Sequence, residues 1–265
     1  MYHESVLLRE AIDGLEIIDD GVYVDVTYGG GGHTKKILEN IGLLGKVFAF
    51  DTDEEALKNQ IKDDRLIMIN QNFKYISNYL NFYSQFKIDG IIADLGVSSY
   101  QINKTDRGFS FMNDATLDMR MDRESKLTGE DVINDYEQDT LKYIFRQYGE
   151  LKNAKKIANE IIKARSFKKI QSTLQLVGVL KKLSPTRFRN NFFAKVFQAI
   201  RIEVNQELKS LELLLEQSMD LLKIGGRIVI ISYHSLEDRI VKNFFKTSNV
   251  QGVEQKDFFG NKQTS

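Results

Sequence analysis

Cysteine is absent from this chain of 265 residues, and histidine occurs only three times. Disulfides, cysteine-ligated zinc and thiolate nucleophiles are therefore excluded. His3, His33 and His234 stand far apart in the sequence and lack the spacing of metal ligands. We therefore expect no metal site.

The chain also lacks an excess of charge and any long apolar run. Lys plus Arg and Asp plus Glu both number 37, so a surface that binds nucleic acid must be local. No apolar stretch approaches the ~20 residues that a bilayer requires, and MYHESVLLRE at the start has no charged segment before a long apolar core. Hydrophobic residues make up an ordinary 42%. We expect a globular cytoplasmic protein without membrane association.

The most informative stretch is VYVDVTYGGGGH at residues 22–33, where an apolar run meets four consecutive glycines. Residues 22–28 are β-branched or aromatic except Asp25, which predicts a strand buried in a sheet. Glycines let the backbone approach a ligand closely, and a helix that follows them offers N–H groups without partners inside the helix. The pattern predicts a strand, a tight turn and a helix that together hold a ligand. A turn that binds nothing is the alternative.

A carboxylate after the next predicted strand indicates the kind of ligand. KVFAFD at residues 46–51 ends in Asp51, at the distance from the glycines where nucleotide-binding βαβ units place an acid for ribose hydroxyls. The glycine spacing fits a dinucleotide fingerprint only in part, because its third glycine position is Thr34. No phosphate-binding P-loop motif occurs. We expect an adenosine-type ligand, with S-adenosylmethionine ahead of NAD.

Further strands are predicted at residues 66–69 and 88–96, with helical segments between the strands. This alternation predicts a parallel, doubly wound α/β sheet. The last of these strands, IDGIIADLG, carries a third acid, Asp94. Ligands of such sheets bind beyond the carboxyl ends of the strands, so Asp25, Asp51 and Asp94 are expected to line one rim. Capping of a turn and a helix is the alternative role for Asp94.

The middle of the chain has a different pattern. Residues 104–205 show only amphipathic helical stretches, which predicts an all-helical subdomain inserted into an α/β domain of residues 1–103 and 206–265. Within it, residues 151–190 hold eleven Lys or Arg side chains against one acid, Glu160. This excess favours binding of a polyanion, and a solvated face is the alternative.

After the insertion the chain is predicted to return to the sheet. Apolar residues at helical spacing over residues 197–215 predict one long helix that ends at glycines 225–226. RIVIISYH at residues 227–234 predicts a fifth strand. Ser235 and Asp238 then have the spacing of a capping box, which is a structural role.

Several segments closely resemble the bacterial family of 16S ribosomal RNA cytosine-N4 methyltransferases. They are HESVLLRE, DVTYGGGGH, FAFD, DGIIADLGVSSYQI, DRGFSFM, LDMRMD, YGE, FQAIRIEVNQEL and GGRIVIISYHSLEDRIVK. The resemblance covers about residues 3–242, and no general structural reason accounts for DLGVSS, DRGFSFM and SYHSLEDR in one chain. Members of that family usually continue to a basic segment that supplies a last strand, whereas this chain ends at NKQTS.

The resemblance implies a class I S-adenosylmethionine-dependent methyltransferase fold, Rossmann-like, with the inserted helical subdomain. The implied reaction is methylation of the exocyclic N4 of a cytosine in 16S ribosomal RNA, in the decoding region of the small ribosomal subunit. Asp94 would accept the amine proton, or it would serve the cofactor alone. The missing cysteines fit, because C5 methylation of cytosine ordinarily uses a cysteine adduct. By family motif, the cofactor-binding residues would be Gly31, Gly32, His33, Asp51, Phe73, Asp94 and Gln101.

Candidate residues for RNA contact are Arg107, Phe109, Arg120, Arg165 and Arg201. Stacking on a base is the predicted role of Phe109, and packing under a loop is its alternative. Solvent exposure or a structural ion pair is the alternative for Arg120 and Arg201. Two other functions stay open, an NAD-dependent oxidoreductase and an RNA-binding assembly factor without turnover. A homodimer is one option for the oligomeric state.

Overall fold

The structure, a computed structural model, describes residues 5–58, 60–97 and 106–254. The chain divides into two compact units, one of Met1–Gly96 with Leu208–Ser265 and the other of Val97–Glu207. Within the described ranges, no helix is both long and apolar enough to cross a membrane.

The first unit is built on a sheet of five parallel strands, in the order β3-β2-β1-β4-β5. Chain order reverses direction between β1 and β4, which makes the carboxyl ends of these two strands the place where such sheets bind ligands. The predicted parallel α/β sheet is confirmed. The strands are β1 (Val22–Asp25), β2 (Lys46–Phe50), β3 (Leu66–Ile69), β4 (Ile88–Asp94) and β5 (Leu222–Ile231).

Helices cover the sheet and form the inserted unit. They are α1 (Leu8–Leu15), α2 (Gly32–Asn40), α3 (Glu54–Lys58), α4 (Ile76–Phe82), α5 (Gly129–Asp135), α6 (Gln138–Gln147), α7 (Ala154–Arg165), α8 (Thr173–Leu180), α9 (Arg189–Asn205), α10 (Glu207–Leu221) and α11 (Ser235–Thr247).

Both faces of the sheet are buried, which explains why its central strands are apolar at nearly every position. Tyr23 and Val47 pack with residues of α1, α2 and α3 on one face. Val24 and Phe48 pack with residues of α4, α10 and α11 on the other. Successive strand residues therefore alternate between two cores.

β1 is shorter than the strand predicted over residues 22–28. Its ladder ends at Asp25. Beyond that point the Val26 N–H donates to the Ile92 carbonyl at 2.9 Å, and the Tyr28 N–H donates to the Phe50 carbonyl at 2.9 Å. The segment crosses from β4 to β2, and it is this crossing that ends the strand.

The long helix predicted over residues 197–215 is wrong, because two helices cover this segment. Gln206 separates α9 from α10 with a left-handed backbone, φ 51°, and its N–H bonds back to the Ile202 and Glu203 carbonyls. Glycines 225–226 do not end a helix but lie inside β5, beside a register shift against β4.

The predicted capping box of Ser235 and Asp238 is displaced by one residue. The N-cap of α11 is His234, whose Nδ1 accepts from the Glu237 N–H at 3.4 Å. The Glu237 carboxylate in turn accepts from the Tyr233 N–H at 2.9 Å. Sequence spacing did not reveal this cap, because histidine is not among the residues usually expected there.

The inserted unit has its own core, built from residues of α5 to α9. In its described residues, 106–207, the only β pairing is an isolated bridge between Thr116 and Ser172. α5 begins with a capping box in which Thr128 and Asp131 each accept from the other's N–H. The predicted helical character of the insertion is confirmed over these residues.

Candidate active site

The glycine turn lies between the end of β1 and the start of α2. Gly31 caps the helix with φ 74°, and its N–H donates to the Tyr28 carbonyl at 2.7 Å. A Cβ at Gly31 would come within 2.7 Å of the Tyr28 ring, and one at Gly32 would overlap the Ser5 hydroxyl. Nothing lies within 4 Å of a Cβ built at Gly30. Gly31 and Gly32 thus leave no room for a side chain, whereas Gly30 faces open space. A turn whose backbone is exposed in this way fits a cradle for a ligand.

A matched pair of substitutions tests this geometry. We expect Gly31→Ala to lower the free energy of unfolding by about 2–4 kcal/mol, since it combines a left-handed backbone with overlap against a buried ring. Gly30→Ala should change it by less than about 1 kcal/mol, because neither cost applies there. Urea denaturation of both variants measures the difference, and equal stabilities would contradict the observed turn.

Asp51 directly follows β2, and both of its carboxylate oxygens are held by the backbone. Oδ2 accepts from the Gly29 N–H at 2.8 Å, and Oδ1 accepts from the Asp53 N–H at 2.8 Å. Burial raises the pKa of Asp51 to about 6, although these two hydrogen bonds oppose the shift. The carboxylate is therefore oriented beside the glycine turn, and each oxygen keeps a lone pair for a further donor such as a ribose hydroxyl.

The raised pKa of Asp51 predicts a pH dependence of cofactor affinity. A hydroxyl donates to the ionised carboxylate, so binding favours the deprotonated form. With a pKa of about 6, only about a tenth of the carboxyls are ionised at pH 5, and we expect the Kd for S-adenosylmethionine to rise roughly tenfold from pH 7 to pH 5. Isothermal titration calorimetry across this range measures it. A flat profile would contradict a role for the Asp51 carboxylate.

The other two strand-end acids differ in their surroundings. Asp25 is 1% exposed, and its oxygens accept from the Thr27 N–H at 3.0 Å and the Thr34 hydroxyl at 2.7 Å. It holds the turn and the first residues of α2 in place. The Thr27 hydroxyl accepts from the Asp94 N–H at 2.7 Å, which joins the end of β4 to this network.

Asp94 has two neighbours at the same edge of the sheet. Its Oδ1 accepts from the Tyr233 hydroxyl at 2.7 Å, and its Oδ2 lies 4.0 Å from Nδ1 of the buried His33. Burial raises the pKa of Asp94, whereas Tyr233 and His33 oppose that shift. His33 Nε2 lies 3.1 Å from the Val6 carbonyl, and since a carbonyl only accepts, Nε2 carries the hydrogen and Nδ1 is the ring nitrogen that faces Asp94.

Tyr233 lies in the SYHSLEDR motif, but the sequence assigned no role to it or to Thr27. Tyr233 follows β5, so the rule that selected the acids after β1, β2 and β4 also applies to it. A tyrosine gave no chemical reason for attention, because its partner Asp94 lies 139 positions away in the sequence.

Phe73 and Gln101 are the remaining predicted cofactor residues. Phe73 opens a short 3₁₀ helix, Phe73–Tyr75, after β3, and it packs partly buried against the core under α4. Its role at an adenine stays a prediction. Gln101 lies outside the described residues.

In the inserted unit, two of the predicted RNA contacts form ion pairs. The Arg120 guanidinium donates to both oxygens of Asp118, at 2.7 and 2.9 Å. The Arg201 guanidinium donates to both oxygens of Glu207, at 2.9 and 3.1 Å. The structural ion pair that the sequence left open is thus what is observed, and contact with RNA stays a prediction for both residues.

The other predicted contacts also bind within the protein. Arg165 donates to the Ile133 and Tyr136 carbonyls, each at 2.7 Å. Arg107 is 3% exposed, donates to two backbone carbonyls, and lies 5.3 Å from the centre of the Phe109 ring. Phe109 packs against the core of the unit. These side chains thus have structural contacts within the unit, and contact with RNA stays a prediction for all three.

The chain matches known proteins over nearly its whole length. The model of the MraW methylase family matches residues 1–257. A protein from Flavobacterium johnsoniae named ribosomal RNA small subunit methyltransferase H is 51% identical over 260 residues, which are 98% of this chain and 86% of that protein. A protein of the same name from Christiangramia forsetii is 49% identical over the same shares of the two chains. A third, from Bacteroides thetaiotaomicron, is 47% identical over 99% of this chain and 86% of that protein. The chain belongs to the MraW methylase family.

Proposed function

We propose that this chain is an S-adenosylmethionine-dependent methyltransferase that methylates the exocyclic N4 of a cytosine in 16S ribosomal RNA of the small subunit. The observation that carries the proposal is the convergence of the glycine turn, Asp51 and Asp94 at one edge of the sheet in a methylase-family chain. The family and the names of its relatives support the reaction class and the RNA substrate.

The residues at this edge fit the cofactor. The backbone at Gly31 and Gly32 would hold its methionine part, and the Asp51 carboxylate would accept from the two ribose hydroxyls. Phe73 offers an apolar surface to the adenine. When bound, S-adenosylmethionine supplies a methyl group made electrophilic by the attached sulfonium.

Asp94 is the proposed acceptor in the reaction. The N4 lone pair of cytosine is conjugated into the ring, which makes the amine a poor nucleophile. Asp94 Oδ2 would accept a hydrogen bond from that amine and take its proton as the methyl–nitrogen bond forms. This hydrogen bond would also hold the amine in line with the methyl group, and such orientation lowers the barrier to methyl transfer.

We propose that exposed cations of the inserted unit carry further RNA contacts, because the guanidinium groups of the predicted arginines already bind within the protein. Lys163, Lys168 and Lys169 are exposed near the end of α7. Phe167, in the same segment, is 83% exposed. Lysines that neutralise phosphates beside an aromatic ring that stacks on bases suit a single-stranded RNA segment.

A charge reversal tests this surface. We expect the double variant Lys168→Glu/Lys169→Glu to bind 16S RNA more weakly and to reduce the slope of log affinity against log salt by about 2, roughly one per lost phosphate contact. Filter binding at several salt concentrations measures both quantities. Lys209→Glu, on α10 of the other unit, serves as the control. Unchanged affinity and slope in the double variant would place the RNA elsewhere.

The proposed function is tested by incubating the protein with small ribosomal subunits and tritiated S-adenosylmethionine, followed by nucleoside analysis. We expect the label in N4-methylcytidine. Cofactor binding without label in RNA would favour the assembly factor, and binding of NAD instead of S-adenosylmethionine would favour the oxidoreductase. Either result would overturn the proposal.

The cellular setting belongs to the same proposal. A protein that acts on small ribosomal subunits works in the cytoplasm, where bacterial subunits are found. The homodimer stays a prediction, which sedimentation equilibrium at micromolar concentration tests by giving the mass of one chain or two.

A further inference from the structure

Tyr233 connects the end of β5 to the proposed acceptor. Its hydroxyl donates to Asp94 Oδ1 at 2.7 Å, and its backbone N–H donates to the buried Glu237 carboxylate at 2.9 Å. A Cβ built on Gly96 would lie 3.6 Å from Cδ2 of the Tyr233 ring, so the ring also lies beside the segment that leaves β4. The residue is nevertheless 56% exposed. Tyr233 is thus held by its backbone N–H and by its hydroxyl, while its ring stays accessible.

We propose that Tyr233 is the residue that positions the target base, with its ring contacting the cytosine and its hydroxyl orienting Asp94 toward the exocyclic amine. This inference rests on the proposed function and deepens it. It assigns a role to Tyr233, which the sequence analysis places in a motif without giving it a function.

The orientation of Asp94 is the first argument. Tyr233 engages Oδ1, whereas Oδ2 lies 4.0 Å from His33 Nδ1. That separation is too long for a hydrogen bond. An amine N–H that arrives at this edge therefore meets Oδ2, and the Tyr233 hydroxyl keeps the carboxylate from rotating.

The accessible ring is the second argument. A cytosine must leave its stack before an enzyme can reach N4, which costs a few kcal/mol. Stacking on an aromatic side chain offsets part of this cost and does not depend on base identity. The Tyr233 ring is such a side chain, and its hydroxyl is hydrogen-bonded directly to the proposed acceptor Asp94.

A purely structural role, closing the connection from β5 to α11, is the competing explanation. Glu237 already holds this connection through the Tyr233 backbone N–H, which any side chain at position 233 would preserve. The side chain can therefore be varied while that contact is kept.

The test uses Tyr233→Phe and Tyr233→Ala in the full chain, with Tyr83→Phe, a partly exposed tyrosine at the end of α4, as the control. Steady-state methylation of small subunits gives kcat and KM, and calorimetry gives cofactor affinity. Tyr233→Phe should lower kcat roughly tenfold with KM unchanged, because only the bond to Asp94 is lost. Tyr233→Ala should in addition raise KM for the subunit roughly tenfold through the loss of stacking. S-adenosylmethionine affinity should stay within twofold in both.

The pH profile of kcat separates positioning from packing. The Tyr233 hydrogen bond lowers the pKa of Asp94, so Tyr233→Phe should move the acidic limb of the profile to higher pH. Other ionisable groups that face this carboxyl are His33 on α2 and Asp25 on β1, with Glu237 on α11 acting on Tyr233, and all three remain in the variant.

Unchanged kcat, KM and pH profile in both variants would overturn the inference while leaving the proposed function intact. A loss of thermal stability in both variants, with the pH profile unmoved, would also overturn it, since that is the signature of packing. Failure of the unmodified protein to methylate subunits at all would instead refute the proposed function.

Discussion

Asp51→Ala should weaken S-adenosylmethionine binding by about 100-fold. The carboxylate is oriented by the Gly29 and Asp53 N–H groups, at 2.8 Å each, so it presents fixed lone pairs to the two ribose hydroxyls. Removing a charged acceptor for two hydrogen bonds costs about 3 kcal/mol, which corresponds to about two orders of magnitude in Kd. Activity at low cofactor concentration should fall by the same factor.

Isothermal titration calorimetry measures this loss. Asp51→Asn keeps the shape and one acceptor oxygen, so its loss should be smaller. Glu39→Gln, on the exposed face of α2, should bind as the unmodified protein does. Because Asp51 also holds the backbone, thermal unfolding followed by circular dichroism checks that the alanine variant is folded. Native affinity in a folded Asp51→Ala protein would remove Asp51 from the cofactor site.

Asp94→Asn is expected to have the largest effect on turnover, a fall in kcat of about 10²–10⁴-fold. A positioned proton acceptor contributes about that much to a transfer reaction. Asparagine keeps the size of the side chain but cannot take a proton from the amine. The change therefore removes the chemistry and keeps the packing against the Thr27 hydroxyl, which contacts the Asp94 backbone and not its side chain.

Single-turnover methylation with saturating cofactor isolates this step. Cofactor affinity of Asp94→Asn, measured separately, shows how far the carboxylate also serves S-adenosylmethionine. Asp220→Asn, an exposed acid at the end of α10, is the control for loss of a negative charge. A single-turnover rate within a few-fold of the unmodified protein would mean that Asp94 is not the acceptor.

Much of the sheet could be predicted because each buried strand is marked by a short apolar run in its own sequence. The FAF segment of β2 is buried on both faces, so it is apolar at each position, and the position of Asp51 follows from where that run stops. The carboxyl ends of parallel strands meet at one edge, which was enough to place Asp25, Asp51 and Asp94 at the same edge of the sheet. The end of β1 was less predictable, because the crossing after Asp25 depends on hydrogen bonds to two neighbouring strands.

The arginines show where prediction from sequence stops. Residue type gives a charge but not the partner of that charge. Arg120 pairs with Asp118 only two positions away, whereas Arg165 binds carbonyls about thirty positions upstream. Neither pairing leaves a periodic pattern in the sequence, because each depends on how the chain folds between the two partners. The helix break at Gln206 could not be predicted either, because the helical spacing of apolar residues continues on both sides of it.

The most direct test of the account is a crystal structure of this protein with S-adenosylhomocysteine. We predict both ribose hydroxyls within hydrogen-bond distance of the Asp51 carboxylate, and the homocysteine part against the backbone of Gly31 and Gly32. An adenosine bound away from the carboxyl ends of β1 and β2 would contradict the account.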